Sequence, residues 1–111
     1  MTIKPLATLA VFAAAILGLT NNTFAQTDAG KDALYVKSLA ATCANCHGTN
    51  GKAVEGSSVV SIAGLDRAYM VAQMKAFKAG TRPATIMHQL SKGYSDAQIE
   101  TLATYFAEQK K

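Results

Sequence analysis

Residues 42–48 read TCANCHG, and no other stretch constrains the fold of this chain as much. Cys43, Cys46 and His47 stand at i, i+3 and i+4, so on a helical turn their side chains project from one face. The chain of 111 residues has two cysteines, and only two residues separate them. A disulfide between them would close a tiny loop and constrain little of the unfolded chain. A domain this small buries a modest core and often depends on a metal, a disulfide or another staple. What completes this core is therefore not expected to be that disulfide.

The pattern Cys-x-x-Cys-His is a c-type haem attachment site. The two thiols add to the two vinyl groups of the porphyrin, and the adjacent imidazole rises from the same wall to bind the iron axially. A thioredoxin-like dithiol would need a βαβ setting and would have no use for His47. A zinc site needs four ligands, and the chain offers only Cys43, Cys46, His47 and His88, two of them adjacent and awkward to chelate together. The expectation is one covalently attached haem c. A flat apolar group at the centre would give Val36, Leu39, Ile62, Leu65, Met70, Met74, Phe77, Ile86, Leu90 and Leu102 a surface to pack on. The chain without haem should then be largely unfolded.

The N-terminus reads as an address. Leu6 to Leu19 is an apolar run of about 14 residues after a single lysine, Lys4, and Thr23-Phe24-Ala25 has the small residues of a cleavage site. The run is short of the roughly 20 residues that span a bilayer. Residues 1–25 are expected to be a cleaved signal peptide, leaving 26–111 as a single exported, periplasmic domain with no membrane anchor. Ten Lys and Arg against seven Asp and Glu then give +3, too weak a charge to argue for nucleic acid.

Nothing after the leader reads as β. Asp28 is a candidate N-cap for a first helix whose stripe Val36, Leu39, Ala40 and Cys43 runs into the haem motif. Gly48 to Gly64 reads as a loop. A second helix is expected after Asp66 as N-cap, with Leu65 and Met70 as a hydrophobic staple, and it should stop at Gly80 ahead of Pro83. The third begins at Ser95, where Ser95 and Gln98 form a capping box, and carries Ile99, Leu102, Ala103 and Phe106. The fold class is all-α: three main helices and a short helical segment around one haem.

The second face of the iron could stay open or take Met70, Met74, Met87, His88 or, more weakly, a lysine. Met70 and Met74 share a helix face with Phe77, which suits core filler. A lone histidine in a polar-flanked segment, as His88 is, suits the surface. Met87 lies about 40 residues beyond His47, after Gly80 and Pro83, which gives the chain room to return on the far side of the ring.

CANCHG, a long loop, a helix ending in FKAG, and a methionine ahead of a capped final helix together resemble a class I c-type cytochrome. The phrase ATIMHQLSKGYSDAQIETLATYF is similar to the mono-haem cytochrome subunit of flavocytochrome c sulfide dehydrogenases. The likeness covers nearly all of residues 33–107. It implies Met87 as the distal ligand and His47 as the proximal one. The family commonly has a proline in the loop after the haem motif, whose carbonyl accepts the proximal histidine N–H. Ser58-Val59-Val60-Ser61-Ile62 has none, and any of its carbonyls could serve. The family also has a small residue where Tyr35 stands, so the crossing against Tyr105 or Phe106 should pack differently.

His/Met ligation fills both axial positions, which suits electron transfer without substrate turnover, and the thioether raises the potential relative to two imidazoles. Lys52, Lys75, Lys78, Arg82 and Lys92 could ring the haem edge and steer an acidic partner. The resemblance implies a partner: a sulfide-oxidising flavoprotein with this chain as its haem subunit. The alternatives are a free-standing soluble electron shuttle between respiratory complexes, its partner then another periplasmic redox protein, or a gas-binding or peroxidase-like cytochrome from which Met87 dissociates.

Overall fold

The second helix begins where the sequence can cap it. Asp66 has extended backbone, and its carboxylate accepts the Tyr69 N–H at 2.8 Å. At the other end Gly80 takes a left-handed conformation with φ 76°, and its N–H reaches back to Phe77 O at 3.0 Å. The last helix is opened by a complete capping box, with Ser95 Oγ accepting from Gln98 N and Gln98 Oε1 accepting from Ser95 N. The Asp66 and Ser95 caps satisfy N–H groups that a helix start leaves without an intrahelical partner, and the Gly80 N–H satisfies carbonyls at the end of its helix.

The computed structural model describes residues 28–111. The expected leader, residues 1–25, lies outside them. The order is α1 (Asp28–His47), a 3₁₀ turn at Thr49–Gly51, α2 (Arg67–Ala79), α3 (Met87–Leu90), a 3₁₀ turn at Ser91–Gly93, and α4 (Asp96–Ala107). No strand occurs among the described residues. Asp28, expected as an N-cap, is already the first helical residue of α1.

The core is built on α4. Ile99, Leu102, Ala103 and Phe106 are buried and meet Ala40 of α1 and Met70 and Met74 of α2. Both α1 and α2 pack on α4, and α3 packs on α2. Arg67 ties α2 to α4 from outside, with Nη2 2.6 Å from Glu100 Oε2 and Nε 3.0 Å from Thr104 Oγ1. Tyr35 is half exposed, and its hydroxyl accepts from Gln98 Nε2 at 3.1 Å. The bulky residue thus lies at the start of α4, while the small Ala40 takes the buried place between the helices.

The loop after the haem motif is held by one carbonyl. Gly51 O accepts from Ile62 N at 2.8 Å, Ala63 N at 3.0 Å and Ser61 Oγ at 2.9 Å. Gly64 N then bonds to Phe106 O at 2.8 Å. This mesh returns the loop to the C-terminal end of α1.

Candidate functional site

His47 closes α1, and its ring Nδ1 lies 2.7 Å from Val60 O. A carbonyl only accepts, so Nδ1 carries the proton, and in the neutral ring Nε2 is left with the free lone pair. A hydrogen bond from the far ring nitrogen to a carbonyl is what orients a metal-binding imidazole. Among Ser58 to Ile62, the carbonyl that serves is that of Val60.

His47 faces a cleft of about 470 Å³. Cys43 and Cys46 share its wall, and both thiols are free. Burial pushes the Cys43 thiol above its usual range, against smaller opposing effects of hydrogen bonds to Thr42 and Tyr94. Opposite chain segments complete the cleft: Ile62 and Leu65 from the loop, Met70, Met74 and Phe77 from α2, and Ile86, Met87 and Leu90 from α3 and its approach. Seven of the ten residues expected to pack on the haem therefore line the cleft. Leu39 and Leu102 do not, because α1 and α4 spend those side chains on their own contact, with Leu102 fully buried in the protein core and Leu39 packed against it, and the half-buried Val36 lies outside the cleft as well.

Of the residues considered for the far side of the iron, Met70, Met74 and Met87 line the cleft. The Met74 sulfur already accepts from the buried Ser91 hydroxyl at 3.7 Å. Met70 and Met74 are both buried in the core, whereas Met87 is only partly buried and stands at the first position of α3. His88 is half-buried and is not among the residues that line the cleft. Its Nδ1 is buried without a hydrogen-bond partner among the described residues.

Two side chains that sequence reasoning missed hold the site together. Thr42 Oγ1 donates to Leu39 O at 2.7 Å, so the 2.7 Å bond between Thr42 and Tyr94 must have the tyrosine O–H as donor. Tyr94 lines the cleft and links the segment after α3 to the residue preceding Cys43. Lys78 Nζ supports it, donating to Tyr94 O at 2.8 Å and to Asp96 Oδ1 at 2.8 Å. An aromatic residue with a polar tip inside the KGY phrase was the available signal. The expected ring of cations is partly redirected: Lys75 and Lys78 turn to carboxylates of α4, and Arg82 alone of the five lines the cleft.

The residues present fit a haem. Val60, Tyr69, Ile86 and Leu90 are 61%, 50%, 54% and 45% exposed, and all four border the cleft. Large apolar side chains gathered on one concave surface need a cover, and a porphyrin supplies one. The thiols and imidazole stand on one wall, and three methionines stand among the remaining lining residues.

A small helical domain whose first helix delivers Cys-x-x-Cys-His to an apolar cleft is a haem-carrying domain in form. The family model described as Cytochrome c matches residues 33–110, and the chain belongs to the cytochrome c family. It carries one covalently bound haem c, and its function is electron transfer. The cytochrome subunit of sulfide dehydrogenase from Chlorobaculum tepidum is 38% identical over 68 residues, covering 61% of this chain and 60% of that protein. The thiosulfate dehydrogenase electron acceptor of Thiomonas intermedia is 35% identical over 71 residues, covering 64% of this chain and 33% of that protein. Cytochrome c4 of Pseudomonas aeruginosa is 34% identical over 94 residues, covering 85% of this chain and 44% of that protein. The chain thus spans less than two thirds of these relatives.

Proposed function

We propose that this chain is a periplasmic electron carrier in which Cys43 and Cys46 hold the haem by thioether links and His47 and Met87 take the axial positions. The observation that carries this reading is the 2.7 Å bond from His47 Nδ1 to Val60 O on the wall of an apolar cleft that Met87 also lines. The Val60 carbonyl fixes the imidazole's tautomer and plane. The Met87 thioether is a soft, neutral donor that favours the reduced metal. The haem supplies a one-electron couple. The apolar walls exclude water, and two axial side chains leave no position for a substrate.

The donor in this reading is a sulfide-oxidising flavoprotein, with this chain as its cytochrome subunit; the likeness to the Chlorobaculum protein supports it. In this reading residues 1–25 are cleaved and residues 26–111 are exported as one domain; among the described residues no helix is long and apolar enough to cross a membrane. A second reading, a free-standing carrier that collects electrons from a separate dehydrogenase, is supported by the likeness to the Thiomonas electron acceptor. Affinity purification of the haem-loaded protein from its native cells separates them. A stoichiometric flavin-containing chain reducing the haem on addition of sulfide is the expected result; a lone cytochrome reduced only through added partners would overturn the subunit reading.

A further inference from the structure

A haem brings two carboxylates as well as an apolar ring, and the cleft has to accommodate them. No Asp or Glu lines it, and its titratable side chains are Cys43, Cys46, His47, Tyr69, Tyr94 and Arg82. Arg82 is the one permanent cation in that set. His47 is occupied by Val60 O and by the iron in the reading above, and Cys43 and Cys46 are occupied by their thioether links to the porphyrin.

Arg82 is also held in place by contacts within the chain. Thr81 N and Arg82 N both bond to Ala76 O, at 3.0 and 3.2 Å, which locks the backbone just past the end of α2. The guanidinium lies over the Phe77 ring, 4.5 Å from its centroid, and Nη1 donates to Gln73 Oε1. One of five N–H donors is thereby used. Among the described residues Arg82 has no carboxylate partner, whereas Arg67, Lys75 and Lys78 all turn to acids of α4. A stacked, planar fork with free donors on an acid-free cleft is suited to a carboxylate, which it can grip with two parallel hydrogen bonds.

We propose that Arg82 is the positioning residue for the carboxylate side of the porphyrin, forming charge-assisted hydrogen bonds to one haem propionate. The inference rests on the haem reading above. Its consequence is electrostatic. A carboxyl beside a guanidinium stays ionised far into acid, whereas the same group in an apolar cleft without that partner has its pKa raised. Oxidation adds positive charge nearby and favours loss of the proton, so an unpaired propionate makes the midpoint potential fall as pH rises through its pKa.

The test uses the haem-loaded protein and the variants Arg82→Gln and Arg82→Lys. Wild type should show a flat midpoint potential between about pH 5 and 8, and R82Q a potential that falls with pH inside that window. R82K, which keeps the charge but not the fork, should recover most of the flatness. In proton NMR the propionate side-chain signals of R82Q should titrate in the same window. A potential in R82Q as flat as wild type overturns the proposal, and so does an R82K that behaves like R82Q. Failure of the underlying haem reading would look different: wild type itself would lack covalent haem or a six-coordinate low-spin spectrum.

Discussion

Replacing Gly51 by alanine tests how the proximal side is held. Gly51 has φ 79°, a conformation that costs an L-residue about 1–2 kcal/mol. It is also buried, and an added Cβ would lie 2.7 Å from Ile62 Cγ1 and 2.8 Å from Phe106 Cδ1. Neither neighbour is free to withdraw, because Phe106 sits in the core and Ile62 is pinned by its N–H to Gly51 O. Forcing a methyl into such packing costs about a further 1–3 kcal/mol. Gly80 provides the control, with φ 76° and nothing within 4 Å of its added Cβ. G80A should therefore carry the backbone cost alone, and G51A both costs. For a domain of this size each kcal/mol moves the melting temperature by about 4–8 °C, so the packing cost alone should make G51A melt about 4–24 °C below G80A. Thermal unfolding of the haem-loaded variants, followed by helical circular dichroism, measures the gap. Equal melting temperatures would refute the packing argument, since the two sites differ in crowding and hardly in φ.

Met87→Ala should lower the reduction potential and open the reduced protein to CO, while His88→Ala should leave the absorption spectrum nearly unchanged; the reverse pattern would overturn the axial assignment. Asp96 tests the distal support. Lys78, by hydrogen bond and by charge, holds its carboxyl below the usual range. A depressed folded pKa stabilises above the unfolded value and loses that contribution as pH falls through the folded one. Asp96→Asn should therefore be slightly less stable than wild type at pH 7, by an amount that salt reduces, and indistinguishable once the carboxyl is protonated. A difference that persisted unchanged into strong acid would refute the charge argument.

The parts legible in the sequence were those written at short range. Asp66, Gly80 and the Ser95–Gln98 box carry their geometry within a few residues, and each forms as expected. The coming together of Cys43, Cys46 and His47 on one wall follows from helical spacing alone. The pairings across the chain were not legible. Val60 could not be singled out among its neighbours, because the choice depends on how Gly51 O gathers Ile62, Ala63 and Ser61. The partition of apolar side chains between core and cleft was equally hidden: Leu102 and Leu90 look alike in sequence, yet one is fully buried and the other 45% exposed at the cleft. The ion pairs of Lys75 with Glu100 and of Lys78 with Asp96 join residues too far apart along the chain for the sequence to pair them, so both lysines look like free surface cations there.

The two halves of the cleft are secured by different means. On the His47 side the fastenings are largely backbone hydrogen bonds, Ile62 and Ala63 N–H to Gly51 O and Gly64 N–H to Phe106 O, anchored to a fully buried helix face. On the Met87 side they are largely side-chain links: Tyr94 to Thr42, Ser91 to the Met74 sulfur, and Lys78 to Tyr94 O and Asp96. Helix α3, which begins with Met87, is a single turn of four residues packed on α2. A mesh of backbone bonds on a core helix opens only with the core, whereas single side-chain links break one at a time. If His47 and Met87 take the axial positions as proposed, mild stress on this domain should release the Met87 thioether before it disturbs the imidazole. The same asymmetry assigns the structural role to the haem motif and its loop, and the adjustable role to the segment from Arg82 to Tyr94.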